Sequence, residues 1–276
     1  MNKKLLGLVL SLAVLSLAAC GNKTAQAPAN SSEAPVKVVT VAASPVPHAE
    51  LLLQVMDDMK ELGYDLEIRE FSDYVLPNTA VDEGDIMANF FQHKPYLDDF
   101  NAERGTHIVS VGKIHYEPFG VYAGSKKTLE LAKGDKVAVP NDVTNEARSL
   151  NLLEAAGVIK LKEGAGLTAT KLDIVENPLE IEIVELESAQ IPRSLDSVAV
   201  ACMNGNYAME AGFKVSDALF VEPQNSTAAQ TYANILCVKE GNENEKWAKD
   251  LLNCLKSQKV KDYIEKTYNK SVIAID

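Results

Sequence analysis

Apolar residues along this chain repeat with two alternating periods. Residues 36–42 form a β-branched run, and after Pro47 the apolar positions Leu52, Val55, Met56, Met59 and Leu62 recur at helical spacing until Gly63. That predicts a strand followed by an amphipathic helix. Residues 64–70 alternate like a second strand, 86–89 predict a third, and a helix through Tyr96 and Phe100 separates it from a strand at 106–113. A second set follows, with strands at 136–139, 172–175, 181–186 and 198–202, a helix over 144–156 and another starting at Asn204. Strands alternating with helices predict an α/β fold with parallel sheets. The last strand, 233–238, is followed by helices near 243–255 and 257–267 rather than by another strand–helix unit, which predicts its return to the first sheet. The expected architecture is two α/β lobes joined by two crossovers around a ligand cleft. The first lobe would span 36–121 plus 226–276 and the second 122–225. No internal repeat is visible.

The N-terminus reads differently. Lys3 and Lys4 precede an apolar run from Leu5 to Leu17. Its length, roughly 13 residues, falls short of the ~20 a spanning helix needs, so it reads as a secretory signal. Leu17-Ala18-Ala19-Cys20-Gly21 is a lipobox, which predicts cleavage after residue 19 and lipidation of Cys20. Two or three acyl chains hold a protein on a membrane where one chain is marginal. Residues 21–35, GNKTAQAPANSSEAP, lack any sizeable apolar residue and read as a flexible tether, so 20–35 is the anchor and linker. The expected location is the cell membrane, lipid-anchored on the extracytoplasmic side.

Composition narrows the function. The formal net charge is −12 with no basic stripe, which excludes a nucleic-acid partner. Beyond Cys20, the cysteines Cys202, Cys237 and Cys254 form no CxxC motif, and the first two lie in apolar runs as core residues. There is no GxSxG, phosphate-cradling GxxxxGK[ST] or HExxH, so neither an enzyme nor a cofactor is expected. What stands out are polar and aromatic clusters at strand ends, where open α/β sheets bind ligands. Aromatics are 6% of the chain, yet Phe71, Tyr74, Phe90, Phe91 and Tyr96 fall in two short runs that also contain His93. A third cluster, 139–150, contains Asn141, Asn145 and Arg148, with Thr144 as candidate helix cap. The Arg148 fork suits a carboxylate. A fourth, 203–208, offers Asn204 as donor and acceptor.

Together these strings resemble the NlpA family of methionine-binding lipoproteins, the MetQ-type substrate-binding proteins of methionine ABC transporters. The likeness runs through DYVLPN (73–78), GDIMANFFQHKPYLD (84–98), VAVPNDVTNEARSLNLL (137–153), GLTAT and LDIVENP (166–178) and IVELESAQIPRSLD (183–196). It implies a type II periplasmic-binding-protein fold that closes about a hinge, with an ABC permease and its ATPase as partners. It also implies that Arg148 holds the ligand carboxylate, with Asn141 and Asn145 near that end. Asn204 and Asn234 would secure the polar end, and Tyr74, Phe91, His93 and Tyr96 would line the side-chain pocket. On this reading Arg148→Ala removes binding and leaves the empty fold intact. Two stretches depart from better-known members, Phe90 before Phe91 and 114–119, IHYEPF, and either could change pocket volume. L-methionine, D-methionine and a methionine-containing dipeptide therefore stay open as ligands. A metal-binding lipoprotein using His48, His93, His107 or His115 with Glu117 is the rival from another class, though no compact ligand spacing supports it and no metal is expected. A surface adhesin is the third reading.

Overall fold

The computed structural model describes residues 37–223 and 230–275. The expected signal peptide, Cys20 and the tether lie outside the described residues. Strand β1 (Lys37–Ala43) is buried on both faces because helices cover both sides of its sheet. On one side α1 (Glu50–Gln54) and α2 (Met56–Glu61) bring Leu51, Leu52 and Met59 against it. The predicted single helix is two, because Val55 between them leaves helical geometry at φ −109°, ψ 4°. The C-terminal helices α8 (Lys246–Leu255) and α9 (Gln258–Tyr268) complete this layer with Trp247, Leu251, Val260 and Ile264. On the other side lie α3 (Leu76–Glu83) and α4 (Lys94–Arg104), with Val81 and Leu97 against Ala42, Ile235 and Cys237.

The first sheet runs β13-β4-β12-β3-β1-β2, where β2 is Tyr64–Glu70, β3 Ala88–His93, β4 Ile108–Tyr116, β12 Asn234–Lys239 and β13 Ile273–Ala274. The expected return of the last long strand is confirmed, since β12 inserts between β3 and β4. The all-parallel expectation is corrected, because β12 pairs antiparallel with both neighbours while β1, β2 and β3 are parallel. A strand that arrives from the other lobe enters from the opposite end.

The second sheet runs β11-β5-β10-β6-β9. Its strands are β5 (Gly120–Ala123), β6 (Lys136–Pro140), β9 (Glu182–Leu186), β10 (Val200–Met203) and β11 (Phe220–Val221), with β7 (Lys160–Leu161) and β8 (Ile174–Glu176) as a separate pair. Helix α5 (Val143–Ala155) packs Ala147, Leu150 and Leu153 on one face. On the other face α6 (Ile191–Ser194) and α7 (Gly205–Glu210) add Ile191 and Ala208. The molecule is thus two α/β lobes. The chain passes between their sheets from β4 to β5 and from β11 to β12, two crossovers. The first passage lies at 117–119, just ahead of the expected 121/122 boundary; the 225/226 boundary lies outside the described residues.

Candidate functional site

The strand ends place the candidate residues. Strand β3 ends at His93, whose ring caps α4: Nδ1 accepts from the Tyr96 backbone N–H at 3.2 Å. That bond sets the tautomer, so Nε2 carries the proton and donates to Asn145 Oδ1 at 3.1 Å, across to the second lobe. Burial and the Arg148 charge lower the His93 imidazole to about 3, which keeps it neutral. Asn145 is fixed in turn by Asp142, the real cap of α5, which accepts from the Asn145 backbone N–H at 3.0 Å and from its side-chain amide at 2.9 Å. The expected cap, Thr144, instead donates its hydroxyl to Asp142. One helical turn on, Arg148 shares the Asn145 face.

These groups surround a cavity lined by Tyr74, Phe91, Gln92, His93, Tyr96, Glu117, Asn145, Arg148, Asn204, Gly205, Asn206 and Asn234. Eight of the nine predicted binding residues are therefore brought together. Asn141 is not among them: it is exposed and lines an outer groove with Asp99, Glu103 and Glu187.

The aromatic wall is a ring cluster. Tyr74 lies 5.6 Å from both Phe91 and Tyr96 and 5.0 Å from Tyr207, centroid to centroid. Phe90 does not belong to it. Neighbouring strand residues face opposite ways, and Phe90 turns into the first-lobe core against the rings of His48 and His115 at 4.7 and 5.3 Å. It cannot change the cavity volume directly.

The polar end differs from the sequence-based picture. Arg148 already faces a carboxylate, since its Nε donates to Glu222 Oε2 at 3.1 Å and its Nη2 to Glu222 Oε1, a fully buried bidentate pair. Its Nη2 also donates to the Glu117 carbonyl at 3.1 Å. The guanidinium stacks 4.1 Å from the Tyr232 ring centroid and 4.8 Å from that of Phe119. Burial opposes its charge, but Glu222 and the Tyr116 and Tyr232 hydroxyls together raise it above the ordinary arginine value. Nη1 is the nitrogen left outside the Glu222 pair.

Glu117 and Glu222 were missed as site residues. Each sits beside a proline with no periodic signal, and the partners Arg148 of Glu222 and His48 of Glu117 are far away in sequence. Glu117 Oε1 lies 2.7 Å from His115 Nε2 and 3.3 Å from His48 Nε2. His48 Nε2 also contacts Asn234 Oδ1 at 3.1 Å. Burial holds both rings neutral, His48 at about 4 and His115 at about 3. These are three of the groups named for a metal reading, and they do converge within 4.8 Å. Their arrangement favours hydrogen bonding. Both Nε2 atoms lie within hydrogen-bonding distance of Glu117 Oε1, so the three groups form a network among themselves. Neither Nδ1 has a partner among the described residues, whereas a metal-ligating ring normally anchors its second nitrogen. Exposed His107 is elsewhere.

Comparison with known proteins agrees with this geometry. The NlpA lipoprotein family pattern matches residues 39–275. The D-methionine-binding lipoprotein MetQ of Salmonella typhimurium is 43% identical over 242 residues, 86% of this chain and 87% of that one. A putative lipoprotein from Ruminococcus gnavus has a crystal structure with TM-score 0.86 and 55% identity, covering 87% of this chain and all of that one. A Burkholderia cenocepacia nutrient-binding protein, solved bound to methionine, has TM-score 0.82 and 41% identity over 86% of this chain and all of its own. The two lobes are those of MetQ-type periplasmic binding proteins, and this chain belongs to the NlpA lipoprotein family.

Proposed function

We propose that this protein captures methionine and delivers it to an ABC importer. The observation that carries the reading is one cavity lined by groups of two chemistries: the rings of Tyr74, Phe91 and Tyr96, and the polar side chains of Arg148, Asn145, Asn204 and Asn234. Ring edges attract a thioether by about 0.3–1.5 kcal/mol per contact. The arginine and amides suit a zwitterion, and unpaired polar groups there would reject ligands lacking it. Arg148 presents Nη1 to the ligand carboxylate while Glu222 holds its other edge. Relatives are named D-methionine-binding lipoproteins, and the Burkholderia relative was solved with methionine.

Among the described residues no helix is long and apolar enough to cross a membrane, and relatives are named as membrane or outer-membrane lipoproteins. Attachment through lipidated Cys20 fits both facts. An ABC permease and its ATPase then receive the closed, loaded form. The test is calorimetric titration of a soluble form starting at Val36 with L-methionine, D-methionine and Gly-Met, after unfolding and refolding to strip retained ligand. Saturable binding of methionine is expected; heat from the dipeptide alone would move the specificity, and none from all three would end the reading.

A further inference from the structure

The cavity holds a carboxylate with no cation of its own. Glu117 is 5% exposed and faces the cavity beside Asn204 and Gly205. Room for it depends on Gly205, since a Cβ there would meet Glu117 Cβ at 2.7 Å and Oε2 at 3.0 Å. Its ion-pair partners among the described residues are His48 and His115, and both rings are kept neutral by burial. The one guanidinium in the wall, Arg148, is committed to Glu222. Two buried carboxylates therefore share one buried positive charge. Burial raises the Glu117 carboxyl, with His48, Arg148 and the Asn206 backbone N–H pulling it back. A buried charge left without a counter-ion is destabilising.

A second, independent feature points the same way. Asn204 is 7% exposed and lines the cavity. Its amide nitrogen donates to Asn145 Oδ1 at 2.9 Å, while its own Oδ1 is buried without a partner. Two residues that line the cavity thus each bring an acceptor, a carboxylate on Glu117 and on Asn204 an oxygen that has no donor. A primary ammonium supplies both a positive charge and three N–H donors. The Nε2 atoms of His48 and His115 meanwhile lie within hydrogen-bonding distance of Glu117 Oε1.

We infer that Glu117, with Asn204 Oδ1 beside it, receives the α-ammonium of the ligand and makes the site select free α-amino acids over amine-free acids of the same shape. The inference rests on the methionine reading above. His48 and His115 are positioning residues for Glu117, and Phe90 packs against both of their rings. The departure of residues 114–119 from better-known relatives then concerns recognition of the amine.

The test compares L-methionine with 4-(methylthio)butanoate, the same molecule without its amine, on the intact folded chain by calorimetry. The wild type should prefer methionine by at least about 100-fold, as sites built around a polar group reject analogues lacking it. Glu117→Gln, which keeps shape and an acceptor, should shrink that ratio to about 10-fold or less. It should do so by weakening methionine and not the amine-free acid. Its melting temperature without ligand should be unchanged or higher, because an uncompensated charge has been removed. Glu117→Asp keeps the charge and should keep a preference above that of the Gln variant, which covers the case of a poorly folded Gln protein. Equal weakening of both ligands, with the ratio preserved, would overturn the inference while leaving the methionine reading standing. A wild type that binds neither ligand would overturn both.

Discussion

Truncating Arg148 removes more than a ligand contact. Arg148→Ala strands Glu222 in the core against the Tyr116 hydroxyl at 2.5 Å and the Phe119 backbone N–H at 2.8 Å. Breaking one side of a buried pair costs about 3–5 kcal/mol, so Arg148→Ala should lower the stability of the empty fold as well as remove a ligand contact. Urea unfolding should show that loss, and the double variant Arg148→Met with Glu222→Leu should recover most of it yet still fail to bind methionine. If Arg148→Ala keeps wild-type stability, the pair is not what holds this wall. The buried histidines give a second prediction at this scale. An unfolded imidazole takes a proton near 6.5, whereas His48, His93 and His115 take theirs only at about 4, 3 and 3. Between those values the unfolded chain binds more protons, so stability falls as pH drops from about 6.5 towards 4, by roughly 1.4 kcal/mol per pH unit for each ring. The carboxyls of Glu117 and Asp142, raised by burial, act in the opposite sense. NMR titration should find these three rings neutral from about pH 8 down to about pH 5. A ring that titrates near 6.5 would show that it is not buried as described.

Helix α5 shows how an element serves the site. Its cap, Asp142, restrains both the first turn and the Asn145 amide that meets His93 and Asn204. Asp142→Ala should lower stability by about 1–2 kcal/mol and also weaken methionine binding, because Asn145 loses its orientation. Leu150→Ala, at a fully buried position on the same helix, should lower stability by about 2–5 kcal/mol. Thermal melts with and without ligand separate the two, since loss of binding beyond loss of stability is expected only for Asp142→Ala. Most long elements were legible, because 3.6 and 2 periods report which face is buried. Short ones were not: β11 and β13 have two residues each and cannot show alternation. Strand β3 extends to His93 because its last residues are buried on both faces. The Phe-Phe-Gln-His run therefore looked like a loop cluster instead of a strand end.

At the scale of the whole molecule the lobes are joined by specific hydrogen bonds. The Tyr74 hydroxyl donates to Asn206 Oδ1 at 2.5 Å and the Tyr207 hydroxyl to the Ser72 carbonyl at 3.1 Å. Each is worth about 0.5–1.5 kcal/mol, enough together to bias a hinge equilibrium. The double variant Tyr74→Phe, Tyr207→Phe should bind methionine several-fold more weakly. Small-angle scattering should show the wild type shrinking when methionine is added to stripped protein, and an unchanged radius of gyration would rule out hinge closure. By itself the sequence determined the two α/β lobes, the return of β12 and the strand-end clusters that supply eight of the nine expected binding residues. Those properties follow from local periodicity, turn chemistry and resemblance. Tertiary structure alone decided that Phe90 faces away from the cavity, that Arg148 is held by Glu222 and that His48 and His115 support Glu117. Arg148 and Glu222 are 74 residues apart, and His48 and Asn234 are 186. Periodicity tells a side chain which face it occupies; only the packing of the two lobes determines which distant charge it meets there.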